Sequence, residues 1–243
     1  MKKFLMSILI GVIVVLIATL LLWKTGIIYK VLADNTYNSF KKDKITYIEA
    51  IEKIDKLGAN IDGEEYKNKC SILNRSKTNY KKGTEYLEEG KKYNNKSEYA
   101  SAFEAFKNVI SNDKNYESAQ QFINECKDNL FYGGTEIPDY GKIINEHLLK
   151  VERHLDTYYY VYDFKTLNYN NLEKFEDTLE ILGWSKSTEE YDGEPFWPYY
   201  KHLIRMDIYE KDNAKLYFTS GETKMATIVS NAEAQITVFY EYE

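Results

Sequence analysis

The chain has 243 residues, of which 44% are hydrophobic and 29% charged, with a formal net charge of −6. That hydrophobic share supports a packed core and excludes a fully disordered, highly charged chain, and two cysteines exclude a disulfide framework. Residues 1–135 carry 21 basic and 17 acidic side chains, net +4, while residues 136–243 carry 11 and 21, net −10; the intermixed signs exclude the basic stripe of a nucleic-acid-binding surface.

The charge shift at Gly133-Gly134 predicts a domain boundary. Three parts are expected: a tip, anchor and juxtamembrane segment over 1–33, a helical domain over 34–132, and an α+β domain over 136–243. Lysine far outnumbers arginine, which occurs only at Arg75, Arg153 and Arg205. With many Asn, Ile and Tyr, this points to an AT-rich, bacterial genome.

Phe4–Trp23 contains no charged residue and follows Lys2 and Lys3 directly. At ~1.5 Å per residue a helix of that length spans the ~30 Å hydrocarbon core of a bilayer. Ser7 and Thr19 are its polar interruptions, and Lys24 follows Trp23 at headgroup depth. The run is longer than the core of a secretory signal and ends without a small-x-small cleavage site, so it is expected to be a retained anchor. The flanking lysines, Lys2 and Lys3 against Lys24 and Lys30, nearly balance; a short tail ahead of the span favours a cytoplasmic tip and an extracytoplasmic bulk.

Lys30–Asn38 is expected to be a short connection. Phe40, Tyr47, Ile48, Ile51, Ile54 and Leu57 then recur at helical spacing and predict one helix, with Gly58 at its carboxyl cap. Asp62 is placed to cap the next helix, whose stripe is Tyr66, Cys70, Leu73, Tyr80, Leu87 and Gly90. Tyr86, Gly90 and Tyr93 lie four and three apart, and after Asn94-Asn95-Lys96-Ser97 the same spacing returns at Ala102, Phe106 and Val109. Small residues at Gly90 and Ala102 let two antiparallel helices approach closely while the aromatics fill the flanks.

These six positions resemble the aromatic and small positions of the tetratricopeptide repeat, a helix–turn–helix unit of about 34 residues. Glu89 stands where that family usually has leucine, and Lys114 where a proline usually ends the unit. The resemblance implies a scaffold that binds a protein or peptide; an ordinary helical hairpin is the alternative. One repeat cannot bury its own face, so the helix Tyr116–Leu130, with Ala119, Phe122, Ile123 and Cys126, is expected to continue the stack.

Beyond Pro138, Tyr140–Leu155 is expected to be helical through Ile143, Ile144, His147, Leu148 and Val151. Thr157–Phe164 either extends that helix or forms a strand. Asn171–Leu182 carries a helical stripe at Leu172, Phe175, Leu179 and Leu182, capped by Asn170 or Asn171 and ended by Gly183. His202–Tyr209 and Ala214–Thr219 flank a Lys211-Asp212-Asn213 turn and predict a hairpin; Met225–Val229 and Gln235–Tyr242 predict another. Helices followed by a meander imply an α+β domain with helices on an antiparallel sheet.

Candidate chemistry is sparse. His147 and His154, two turns apart on the expected helix, lie ~10 Å from one another, too far to share a zinc unaided; no metal or other cofactor is expected. Glu189, Glu190, Asp192 and Glu194 form an acidic loop without the defined separation of an acid/base pair. Cys70 and Cys126 sit on apolar stripes as small buried hydrophobes, with a single bridge between them left open. In Glu194–Tyr200 two prolines stiffen Phe196, Trp197, Tyr199 and Tyr200, as a platform for a glycan or peptide or as a lid over the sheet. The expected protein is a non-enzymatic, single-pass membrane protein of the cell envelope that contacts the lipid bilayer and a protein or peptide partner. The alternative is a ligand-binding or glycan-binding module, or a hydrolase-type enzyme, in residues 136–243.

Overall fold

Short polar side chains set most helix starts in this chain, and residues with positive φ set most of the breaks. A computed structural model describes residues 12–13, 15, 26–58, 61–133, 135–154, 157–163, 167–187, 200–212, 214–223 and 234–242. Among them seven helices and one six-stranded antiparallel sheet make an α+β protein. They form two compact units, Met1–Tyr80 with Val109–Glu117, and Lys81–Asn108 with Ser118–Glu243. The division falls inside the helical segment expected at 34–132. Among the described residues no helix is long and apolar enough to cross a membrane. Of Phe4–Trp23 only Val12, Ile13 and Val15 are described, helical and exposed; the rest of that run lies outside the described residues.

In the first unit, α1 (Ile27–Lys41) starts at Gly26, whose φ of 74° is the left-handed conformation glycine adopts freely. The expected connection at Lys30–Asn38 is therefore helical. The single helix expected up to Leu57 is instead broken at Asp43 (φ 55°) and restarts as α2 (Tyr47–Asp55). A reciprocal pair causes the restart: the Thr46 hydroxyl accepts from Glu49 N–H at 3.2 Å, and Glu49 Oε2 accepts from Thr46 N–H at 2.7 Å. Two amide donors that a helix start leaves without partners are thereby satisfied. Phe40 and Tyr47, seven residues apart, still meet across the break at 6.0 Å, which is why the apolar stripe looked continuous. Ile48, included in that stripe, is 68% exposed.

The core of this unit is Ala33, Phe40, Ala50, Ile54, Tyr66, Cys70 and Leu73. The last three lie on α3 (Gly63–Tyr93), where Asp62 accepts from Glu65 N–H at 3.1 Å, as the sequence indicated. Ser76, also buried, donates to Asp113 Oδ2 at 2.8 Å and accepts from Ile110 N–H at 3.1 Å, fixing 109–117 against α3. Asp43 pairs with both Lys77 and Lys114.

The second unit begins with the Lys81–Tyr93 part of α3, which turns at Asn94 (φ 49°) into α4 (Lys96–Lys107). Gly83 abuts Phe106 and Gly90 abuts Tyr99, so the two helices run antiparallel at close approach. α5 (Tyr116–Leu130) follows, with Phe122 5.2 Å from Phe106. The helix expected over Tyr140–Leu155 is only α6 (Tyr140–Ile144), because Asn145 takes a left-handed conformation (φ 63°) and ends it. Val151 instead lies in β1 (Lys150–His154), which pairs with β2 (Thr157–Asp163), so Thr157–Phe164 contributes a strand.

α7 (Tyr169–Ile181) starts slightly earlier than the spacing indicated: Asn168 is the cap, accepting from Asn171 N–H at 2.9 Å, and Gly183 (φ 83°) ends the turn. The remaining strands are β3 (Ser185–Lys186), β4 (Tyr200–Lys211), β5 (Ala214–Thr223) and β6 (Ala234–Tyr242). The β4–β5 hairpin forms through Asp212 (φ 53°) as expected; the proposed strand Met225–Val229 lies outside the described residues. Sheet order is β1-β2-β6-β5-β4-β3, so β6 sits between β5 and β2.

Register places Tyr162, Leu216, Phe218 and Tyr209 on one face. Against it pack α6 through Tyr140 and α7 through Phe175: the Tyr140 ring lies 5.1 Å from Phe175, 5.1 Å from Phe218 and 5.2 Å from Tyr162. Val161, Ile208 and Tyr217, on the opposite face, are buried too.

Candidate binding cleft

Between α5 and α6 the chain makes a tight excursion whose two ends meet in an isolated antiparallel bridge, Phe131 with Pro138. Asp139 N–H donates to Leu130 O at 2.8 Å and Tyr132 N–H to Ile137 O at 3.1 Å, closing the loop. Thr135 braces it from inside, donating to Tyr132 O and accepting from Ile137 N–H. Beside this loop opens a cleft of about 760 Å³, lined by Asn124, Lys127 and Asp128 of α5, Phe131–Gly133 and Thr135–Ile137 of the loop, and Lys142 of α6. Its cations are engaged: Lys127 pairs with Glu136 at 2.6 Å, and Lys142 Nζ donates to Phe131 O at 2.5 Å. The Lys127 hydrogen bond holds the Glu136 carboxyl below the usual range.

The floor of the cleft is Tyr132, 5% exposed, whose ring stacks on Tyr160 at 3.5 Å. Its hydroxyl lies 2.6 Å from that of Tyr162, which in turn donates to Asp139 Oδ1 at 2.9 Å. Tyr162 has one phenolic proton and gives it to the carboxylate, so Tyr132 donates to Tyr162. Asp139 also caps α6, accepting from Lys142 N–H at 3.1 Å. Gly141 makes room for this: a Cβ there would lie 2.5 Å from Tyr162 Cε1 and 2.6 Å from Glu146 O. Burial raises the Asp139 carboxyl against the hydrogen bonds that favour its charge, and burial raises both phenols, with Asp139 adding to the effect. Hydrogen bonds tie these three side chains to one another beneath the cleft. The cleft presents to a ligand the amide of Asn124 and the carboxylates of Asp128 and Glu136 beside the apolar surface of Phe131, Tyr132 and Ile137.

The residues singled out by sequence are dispersed. Gly90, Ala102 and Phe106 are buried in the α3–α4 hairpin and Val109, in the first unit, is buried too, whereas Tyr86 and Tyr93 are 37% and 64% exposed. The partner of Gly90 is Tyr99, not Ala102, and the tightest approach is at Gly83. Phe196, Trp197 and Tyr199, with Glu189, Glu190, Asp192 and Glu194, lie outside the described residues; Tyr200 opens β4 opposite Thr223. His147 is exposed in the α6–β1 connection, His154 ends β1 and His202 lies in β4 opposite Glu222, so the two-histidine helix does not form. Cys70 and Cys126 are free and buried, and burial pushes both thiols up, that of Cys126 to about 12. Among the described residues no group of three or more His, Cys, Asp or Glu could hold a metal ion. The Tyr132–Tyr162–Asp139 chain escaped sequence reasoning; its one local signal was Asp139 after Pro138, a side chain suited to capping the helix that follows.

No family model matches this chain, and neither a curated protein nor a solved structure matches it.

Proposed function

We propose that this is a single-pass membrane protein of a bacterial cell envelope that holds a non-enzymatic protein-interaction scaffold outside the cytoplasm. The carrying observation is Phe4–Trp23, a charge-free run long enough as a helix to cross a bilayer, entered directly from Lys2 and Lys3. The scaffold reading rests on the α3–α4 hairpin as a tetratricopeptide-like unit. Its support is the burial of Gly90, Ala102, Phe106 and Val109, continued by α5, and the outward display of Tyr86 and Tyr93 as amphipathic contact surface. The partner is a protein or peptide, and no cofactor is required.

Membrane residence is tested by alkaline extraction and by protease digestion of intact cells carrying the full chain. Retention in the pellet with digestion from outside is the expected result. Release into the soluble fraction overturns the anchor, and digestion only after lysis overturns the orientation. Crosslinking from benzoylphenylalanine at position 86 or 93, followed by purification in detergent, tests the scaffold. A second reading, a ligand-binding module in the second unit, is favoured by the cleft over Tyr132. Small-molecule stabilisation of the chain that disappears with Lys127→Ala would move the assignment there.

A further inference from the structure

One face of α1 changes character partway along its length. Ile27 and Val31, one turn apart, are 50% and 51% exposed, and Leu32 beside them is 45% exposed. Further along the same face come Asn35 and Asn38, four and seven residues after Val31 and likewise exposed. Asp34 marks the change: its carboxylate accepts from Tyr66 OH at 2.6 Å and ties the helix to α3. The inward side meanwhile stays uniform, with Ala33 and Phe40 in the core. Large apolar residues on the wet side of a helix, confined to its first two turns, are not required by the packing of this unit. An apolar cluster of that kind marks a surface in contact with something other than water.

The position of the cluster identifies what covers it. Phe4–Trp23 ends three residues before Gly26, and Val12, Ile13 and Val15 within that run are exposed and apolar as well. Exposed apolar side chains thus occur at Val12, Ile13 and Val15 in the run and again at Ile27, Val31 and Leu32, while Asp34, Asn35 and Asn38 follow as exposed polar residues. Lys30, exposed in the same turns, has the length to reach headgroups while its stem lies along apolar surface. From the anchor reading, on which this rests, we infer that residues 27–32 of α1 sit in the headgroup region of the bilayer and that Asp34 is the first residue in water. The left-handed Gly26 breaks the backbone between the run and α1, so α1 need not continue the direction of the span. The ligand of this surface is the lipid interface itself. The cleft that Ile27 helps to line holds Asp34, Asp62 and Glu65 against Lys30 and Lys69, so no anionic lipid is called for.

Depth measurements on the full chain in phosphatidylcholine vesicles test this. Single cysteines V15C, I27C, V31C, N35C and N38C are nitroxide-labelled, and collision with oxygen is compared with collision with a water-soluble nickel chelate. Cys70 and Cys126 remain in place because both are buried, and the unsubstituted chain gives the background. Expected is a deep position for 15, positions 27 and 31 at the ~5–10 Å depth of an interfacial helix face, and positions 35 and 38 in water. The oxygen-to-nickel ratio at 27 and 31 should exceed that at 38 several-fold. If 15 is deep while 27 and 31 match 38, the interfacial segment is refuted and the anchor stands. If 15 is itself in water, the anchor reading fails and this inference with it.

Discussion

Alanine at Gly83 would put its Cβ 2.7 Å from Phe106 Cε1, 2.8 Å from Cδ1 and 3.0 Å from Cζ. The ring cannot yield easily, being fully buried with Phe122 5.2 Å away. Overpacking of this kind costs about 1–3 kcal/mol, while alanine in place of glycine inside a helix returns roughly 0.5–1 kcal/mol. Together these give a net loss of about 1 kcal/mol, within a range of roughly 0–2.5 kcal/mol. Gly90→Ala is the internal control: its Cβ meets the Tyr99 ring at 3.1–3.3 Å, a displacement of tenths of an ångström that the helix gain offsets, leaving a change within about 0.5 kcal/mol. Urea unfolding of the full chain in detergent, followed by far-UV circular dichroism, measures both. Adding Phe106→Ala relieves the clash, so a double-mutant cycle with Gly83→Ala should show coupling of about 1 kcal/mol or more. Equal midpoints for the two alanine variants, or an additive cycle, would refute the close approach at Gly83.

Three further outcomes are expected. Thr46→Ala removes one half of the reciprocal cap on α2 and should cost about 1 kcal/mol in the same urea assay; an unchanged midpoint would contradict it. Tyr162→Phe deprives Asp139 of a donor and Tyr132 of an acceptor, both in buried positions, and should cost about 1–3 kcal/mol, with altered near-UV dichroism. Asp139→Asn tests the sign of a pH effect. Burial raises this carboxyl above 3.8 in the folded chain, so its contribution to stability is complete below that pH and is lost as pH rises through the folded value. The stability difference, wild type minus variant, should therefore shrink over that window and level off above it. A difference that widens with pH would be incompatible with a desolvated carboxyl.

The elements legible in the sequence are those whose signals are local. Helix α7 announced itself through the Leu172–Phe175–Leu179–Leu182 spacing and Gly183, and the β4–β5 hairpin through alternation around Asp212. Misread elements had patterns compatible with two structures. Phe40 and Tyr47 keep helical phase across a gap that the Thr46–Glu49 pair opens. Val151 fits the stripe of α6, yet Asn145 turns the chain and Val151 pairs in the sheet with Tyr160, nine residues away. The cleft was hidden for a different reason. Asp139 and Tyr162 are 23 residues apart, and they meet only because β2 lies beside β6 under α6. No window of sequence contains that relation.

The position of β6 also governs when the second unit can assemble. It is the last of the six strands to be synthesised, yet it pairs with β5 on one side and β2 on the other. Until residues 234–242 emerge, the nascent chain holds two separate ladders, β1–β2 and β3–β4–β5, each with a long open edge that β6 alone joins in the finished sheet. Such edges are templates for pairing between chains. A neighbouring copy's β6 fits the same slot as the chain's own, so strand exchange between copies is the characteristic hazard of crowded synthesis. Arrival of that strand closes both inner edges at once.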